Sequence, residues 1–266
     1  MKHYRQECSF EEMKPTTILI TGASRGIGAA LAHQYAETGV TLGLVARTEE
    51  GLAGIADQCR EKGAEVEIGI VDISDIEAIQ TWILQFDDMH SVDLLIANAG
   101  VMGRCGPGRQ LETIEQAQWQ FRINLEGTVN TVSATAPMMQ ERRSGQIAVL
   151  SSLAGHQPLA DSPAYSASKA GLMAWSEAVA EFLAPDNIDV SVICPGYINT
   201  DMGRQFLKWS PFEISAEKAA YKIRNGLARK RSFISFPLPL LWSVRFGKLF
   251  PWWIKRLITR FFRFRD

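Results

Sequence analysis

Short apolar runs alternate along this chain with longer stretches of helical periodicity. The runs fall at residues 17–20, 42–45, 65–70, 92–97, 146–150, 189–193 and 232–236. Most are apolar nearly throughout, which predicts strands covered on both faces. Between them, segments of helix length run over 28–38, 49–62, 76–87, 114–140 and 165–182. Strand–helix alternation at this spacing predicts βαβ units. The expected architecture is α/β, a doubly wound parallel sheet of seven strands with helices on both faces.

A chain of 266 residues is long for one domain of roughly 150 residues, but a single α/β domain can reach about 250. No repeat or low-complexity linker divides the pattern. It reads as a polar extension over 1–15, one domain over 16–237 and a tail over 238–266. The chain is 46% hydrophobic and 21% charged, which excludes disordered, collagenous and disulfide-scaffold classes. A formal charge of −1 argues against nucleic-acid binding driven by bulk charge. Cys8, Cys59, Cys105 and Cys194 form no Cys-x-x-Cys pair, and no His/Cys cluster has metal spacing. They read as free thiols of a cytoplasmic protein, with no metal site. The polar N-terminus has no apolar core of a secretory signal. The uncharged run at 232–244 is too short for a membrane span of about 20 residues.

The first chemical signal is Thr21-Gly22-Ala23-Ser24-Arg25-Gly26-Ile27-Gly28, directly after the first predicted strand and opening the first predicted helix. A glycine-rich turn in that position lets main-chain N–H groups approach a pyrophosphate at a helix N-terminus. A glycine pattern alone is weak evidence, and the strand before it and helix after it supply the required context. The second strand ends Val45-Ala46-Arg47-Thr48, where an acid would accept hydrogen bonds from the adenosine ribose of NAD. Arg47 there, with Arg25 in the glycine loop, favours the 2′-phosphate of NADP(H). The alternative is that both arginines are merely solvated.

The second signal is Tyr165-Ser166-Ala167-Ser168-Lys169. Within a helix the phenol and the ammonium, four residues apart, share a face. A nearby cation favours the phenolate, so the tyrosine can exchange a proton with an alcohol or carbonyl oxygen. Ser152 stands just past the fifth predicted strand, where its hydroxyl could hold that oxygen. Singly, each has an ordinary structural explanation. Together, after a glycine loop, they are far more specific.

With these motifs the sequence resembles the compact, single-domain type of short-chain dehydrogenase/reductase. The matching pieces are residues 21–28, Asp72, Asn98-Ala99-Gly100, Asn124, Ser152, Tyr165 with Lys169, and Pro195-Gly196 with Thr200. They occur in family order over about residues 16–236. The resemblance implies a Rossmann-like fold and hydride transfer between a nicotinamide and a carbonyl or alcohol carbon. It implies that Tyr165 is the proton donor, that Lys169 lowers its pKa and holds the nicotinamide ribose, and that Ser152 polarises the carbonyl. Asn124 would anchor a water that links Lys169 to solvent. For the cofactor it implies contacts from Gly22, Ser24, Arg25, Gly26, Ile27 and Gly28, from Arg47, and from Asp72 with Ile73 at the adenine. Asn98, Ala99 and Gly100 would line its middle. Pro195, Gly196, Ile198 and Thr200 would surround the nicotinamide, and Tyr165, like Lys169, would also contact the cofactor.

The substrate walls implied by the family are apolar here, with Leu153, Leu159, Met202, Phe206, Leu207, Trp209 and Phe212. They fit a large apolar substrate, or equally a lid over 206–212 that packs on the body. His156, near Ser152, is given no catalytic role.

The charge is unevenly spread. Beyond residue 236 the chain carries Arg245, Lys248, Lys255, Arg256, Arg260, Arg263 and Arg265 against the single acid Asp266, and the rest is acidic. Wound as a helix, residues 251–265 set Trp253, Ile254, Leu257, Ile258, Phe261, Phe262 and Phe264 opposite Lys255, Arg256, Thr259, Arg260 and Arg263, with Trp252 and Arg265 out of place. That is the pattern of a helix lying in a membrane interface. The alternative is a helix packed on a second subunit or over the cleft mouth. The expectation is thus an NADPH-dependent reductase of a lipophilic carbonyl, cytoplasmic and peripheral on a membrane through residues 242–265. A homo-oligomer, a dimer first, is expected as well. The rivals are a soluble alcohol or sugar-derivative dehydrogenase whose tail mediates oligomerisation, and a non-catalytic nucleotide sensor or scaffold.

Overall fold

The computed structural model describes residues 14–106, 110–206 and 212–241, except the side chains of 204–206. Most of the polar N-terminal extension, Cys8, the Leu207–Trp209 part of the expected lid and the basic tail from Trp242 onward lie outside the described residues.

Each of the seven apolar runs forms a strand of one sheet. These are β1 (Thr17–Thr21), β2 (Thr41–Ala46), β3 (Glu65–Ile70), β4 (Leu94–Ala97), β5 (Gly145–Leu150), β6 (Ile188–Pro195) and β9 (Phe233–Phe236). All pairs are parallel, in the order β3-β2-β1-β4-β5-β6-β9. The chain therefore winds outward from β1 in one direction, then returns to β4 on its other side. That reversal leaves a crevice at the carboxyl ends of β1 and β4. A separate two-stranded ribbon joins β7 (Ile198–Asn199) to β8 (Ile214–Ser215).

Helices cover both faces. On one lie α1 (Gly26–Tyr35), α2 (Glu49–Glu61) and α9 (Ala216–Ala228); on the other α3 (Ile76–His90), α5 (Gly127–Arg142) and α7 (Pro163–Leu183). Side chains alternate across each strand. Ile18 and Ile20 of β1 face the first layer and Leu19 the second, and Leu94 with Ile96 and Leu95 with Ala97 do the same in β4. Each such buried side chain stabilises the fold by about 1.5–3 kcal/mol.

The helix at 114–140 is unbroken but not α-helical throughout. A capping box between Thr113 and Gln116 starts α4 (Ile114–Phe121). One π-helical turn (Arg122–Glu126) follows before α5. Such turns are uncommon and concentrate at functional sites, and this one contains Asn124. The pattern among the predicted helices omits α9, because its buried face is built largely of Ala216, Ala219 and Ala220. Arg224 of α9 reaches across to α1, donating to the Gln34 carbonyl at 2.7 Å and lying 5.2 Å from the Tyr35 ring centre. Two short helices, α6 (Leu153–His156) and α8 (Asp201–Phe206), flank the crevice. Among the described residues no helix is long and apolar enough to cross a membrane.

Candidate active site

The glycine loop occupies the end of β1 and is held from both sides. Gly22 and Ala23 donate to the Val45 carbonyl of β2 at 2.8 and 3.2 Å. Thr21 Oγ1 accepts the Asn98 and Ala99 amides at 3.1 and 3.2 Å, and Asn98 Nδ2 donates back to the Thr21 and Gly22 carbonyls at 2.9 and 3.1 Å. Gly22 has φ +68°, and a Cβ there would stand 2.7 Å from Ala99 Cα. A Cβ on Gly28 would collide with the Gly22 carbonyl. The loop thus turns tightly into α1, whose start at Arg25 has no side-chain cap and no acid in its first turn. Uncapped N–H groups at a helix N-terminus suit an anion.

From this loop a cleft of about 700 Å³ runs along the carboxyl ends of the strands. Arg25 and Arg47 flank one end, both exposed. Ser24, Gly26, Ile27, Ile73, Asn98, Ala99, Gly100, Pro195, Gly196, Ile198 and Thr200 line its course. Asp72 lines it too, its Oδ1 fixed by the Ser74 amide at 2.9 Å and the Ser74 hydroxyl at 2.8 Å. Thr200 Oγ1 accepts the Gly203 amide at 3.2 Å as α8 begins.

At the far end Ser152, Tyr165 and Lys169 meet. Ser152 stands just past β5 as the N-cap of α6, accepting the Ala154 amide at 3.1 Å. Its side chain comes close enough to the Tyr165 hydroxyl to lower the phenol's pKa. Lys169, one turn along α7, places Nζ 6.0 Å from the Tyr165 ring centre and donates to the Leu150 carbonyl at 2.8 Å. Beneath them Ser151 Oγ donates to the Lys169 carbonyl at 2.8 Å. Burial is the main electrostatic influence here. It pushes the Tyr165 phenol above its ordinary value, against a smaller downward pull from the Ser152 side chain. It pushes Lys169 down to about 8 and the Cys194 thiol, under the same floor, up to about 12. Without a ligand, then, desolvation of the phenol prevails.

Asn124 joins this cluster from the π turn. Its side chain accepts the Val101 amide at 2.7 Å and donates to the Val101 carbonyl at 2.8 Å and to Ser168 Oγ at 3.1 Å. A Cβ on Gly100 would lie 3.3 Å from Asn124 Oδ1 and 3.5 Å from Lys169 Nζ. Asn124 therefore holds the chain after Gly100 against α7, immediately beside Lys169.

Residues 16–211 match the short chain dehydrogenase family. The chain belongs to the short-chain dehydrogenase/reductase family. An uncharacterized oxidoreductase of Myxococcus xanthus is 32% identical over 241 residues, covering 90% of this chain and 94% of the relative. A short-chain dehydrogenase from Sphingobium yanoikuyae, solved in complex with NADPH, superimposes with a TM-score of 0.77 at 27% identity, over 87% of this chain and 92% of its own. One from Mycobacterium paratuberculosis, bound to NAD, gives 0.74 at 25% identity, over 82% and 95%.

In this short-chain dehydrogenase the residues expected from sequence to touch cofactor or substrate oxygen converge on one cleft, except Gly28, which does not line it, with Asn124 just behind its wall. Of the expected substrate walls, Leu153, Leu159 and Met202 line it. Phe212 is exposed, while Leu207, Trp209 and the Phe206 side chain lie outside the described residues. His156 packs edge-on against Phe233 at 5.6 Å. Sequence reasoning missed Met102 and Leu240, which also line the cleft. Met102 follows the Asn98-Ala99-Gly100 signature closely and could have been found. Leu240 carries no local signal: it reaches the cleft because β9 pairs with β6 and aims the chain back at Gly196, whose amide donates to the Phe236 carbonyl at 2.8 Å. Among the described residues no three His, Cys, Asp or Glu are grouped to hold a metal.

Proposed function

We propose that this oxidoreductase reduces an apolar ketone or aldehyde with NADPH. The observation that carries this reading is the single cleft joining the uncapped glycine loop at one end to Ser152, Tyr165 and Lys169 at the other. A nicotinamide dinucleotide fits these residues. Glycines 22, 26 and 28 let the main chain turn tightly into α1, and the N–H groups opening that helix are free of a side-chain cap. When bound, the dinucleotide supplies the hydride. Arg25 and Arg47 support the 2′-phosphate form, as two guanidinium groups with no ion-pair partner among the described residues. No acid stands at the end of β2 to favour the free ribose.

The chain's own groups handle the proton. Ser152 donates a hydrogen bond to the substrate carbonyl oxygen. Tyr165 gives its hydroxyl proton to the same oxygen as the carbonyl carbon is reduced. Burial keeps the phenol protonated at neutral pH, the state a donor needs. Lys169, held by the Leu150 carbonyl, stabilises the phenolate left behind and reaches the nicotinamide ribose. Alcohol oxidation needs that phenolate at the outset, so alkaline pH favours the reverse direction.

Met102, Leu153, Leu159, Met202 and Leu240 give the cleft apolar walls, which supports a lipophilic substrate. The basic and aromatic pattern of residues 251–265 supports peripheral contact with an anionic membrane, where such a carbonyl would partition. Fluorescence titration with NADPH and NADH, followed by turnover of long-chain, ring and polar carbonyls, tests the assignment. NADPH binds tighter, apolar carbonyls are turned over, and Tyr165→Phe loses turnover while still binding cofactor. Turnover retained in Tyr165→Phe sinks the role of Tyr165. Vesicle co-sedimentation of the full chain, against a truncation after Pro237, tests the membrane contact.

A further inference from the structure

Tyr165 sits in the first turn of α7, two residues after Pro163. First-turn amides have no intrahelical acceptors, so that turn needs a cap. Ser162 occupies the N-cap position but does not cap the helix. Its hydroxyl donates instead to the Gly103 carbonyl, at 2.7 Å. The acceptor comes from a distant part of the chain: Glu112 Oε1 takes the Ala164 amide at 2.5 Å.

Glu112 is itself held. Its Oε2 accepts from Gln120 Nε2 at 2.8 Å, and Gln120 Oε1 accepts the Gly103 amide at 2.8 Å. Gln120 is completely buried. Gly103 is consequently fixed through both its N–H and its C=O, as Val101 is by Asn124. Met102, between them, is part of the cleft wall.

We propose that Glu112 is a positioning residue, which through Ala164 and Gln120 fixes the first turn of α7 and with it the Tyr165 phenol beside the Met102 wall. This rests on Tyr165 being the proton donor. A carboxylate suits the task, because it satisfies an orphan N–H and meets the positive end of the helix macrodipole. Lys169 lies one turn further on and has its own anchors at Leu150 and Ser151. Loss of Glu112 therefore loosens the tyrosine and leaves the lysine in place.

The test compares the full-length protein with Glu112→Ala and Glu112→Gln by hydrogen exchange across α7. It adds the ¹³C-tyrosine NMR signal of Tyr165, assigned by its absence in Tyr165→Phe. In Glu112→Ala the Ala164 and Ser166 amides exchange about tenfold faster, as expected for a lost charged cap. The Tyr165 signal moves or broadens, and NADPH affinity stays within about twofold of wild type, since Lys169 is not disturbed. Glu112→Gln keeps an acceptor without the charge and gives about a threefold acceleration. Should the alanine variant fail to fold, the glutamine variant decides alone. Unchanged exchange at this turn with an unmoved Tyr165 signal overturns the proposal, as does acceleration spread evenly along α7. Both readouts need no substrate, so their failure is distinct from turnover persisting in Tyr165→Phe.

Discussion

Lys169 donates its buried ammonium to the main-chain carbonyl of Leu150, 2.8 Å away at the end of β5. The lysine of the helix is thereby tied to the strand that presents Ser152. Burying that amine is costly without a cofactor, and its pKa falls to about 8.

That depression sets a pH dependence. Below pH 8 the folded and unfolded chains both hold the proton, and the folded state bears the full cost of burying the charge. Between about pH 8 and 10.5 the folded protein releases the proton while the unfolded chain keeps it, so this group makes stability rise with pH. Lys169→Met should remove that rise. At pH 7 the cofactor-free variant should be more stable by about 2 kcal/mol, a penalty of about 3 kcal/mol relieved less about 1 kcal/mol for the donor lost at Leu150. Its turnover should be abolished. Thermal unfolding at pH 7, 8, 9 and 10 checks this, and parallel slopes for both proteins would contradict it.

Arg47 lies at the end of the cleft opposite Tyr165. Arg47→Ala should weaken NADPH by about tenfold or more, as expected for a lost charge-assisted contact to phosphate, and leave NADH nearly unchanged. Fluorescence titration with both cofactors decides. Equal losses for the two would remove the 2′-phosphate argument.

Gly28 admits no side chain. A Cβ would strike the Gly22 carbonyl and stand 2.6 Å from Asn98 Nδ2. Gly28→Ala should spread the loop away from β4, lowering dinucleotide affinity by at least about tenfold and reducing Tm. Titration and calorimetry on the same sample measure both effects, and wild-type affinity would show that the loop can yield.

Arg142 of α5 grips Asp87 of α3 at 2.6 and 2.8 Å, and the same carboxylate accepts the Val92 amide at 2.8 Å. Asp87 is almost wholly buried. Arg142→Met would strand its charge, costing about 3–5 kcal/mol, with cofactor affinity at 25 °C little altered. Urea unfolding reads the loss. A cost below about 1 kcal/mol would mean that water reaches the carboxylate.

Much of this was legible in the residue order. The inner runs became strands because a parallel strand covered on both faces must be apolar nearly throughout, while the edge strand β3 alternates exposed Glu65 and Glu67 with buried Val66. Their ends moved by a residue or two, since ladder hydrogen bonds set them rather than hydrophobicity. β6, for example, extends to Pro195. The glycine loop, Ser152 and the Tyr165–Lys169 pair could be read because each is a short local pattern with a local physical cause.

The sequence by itself determined the sheet, the glycine turn and the shared helix face of phenol and ammonium, for these follow from spacings of a few residues. Only the tertiary structure decided the rest. It put a π-helical turn into the 114–140 helix at Asn124, brought Leu240 to the cleft, and set the carboxylate of Glu112 on the helix of Tyr165 in place of the neighbouring Ser162. It also set the burial that raises the Tyr165 phenol above its ordinary value. Contacts between residues far apart in the chain, and the desolvation that comes with them, depend on packing. No local pattern records either one.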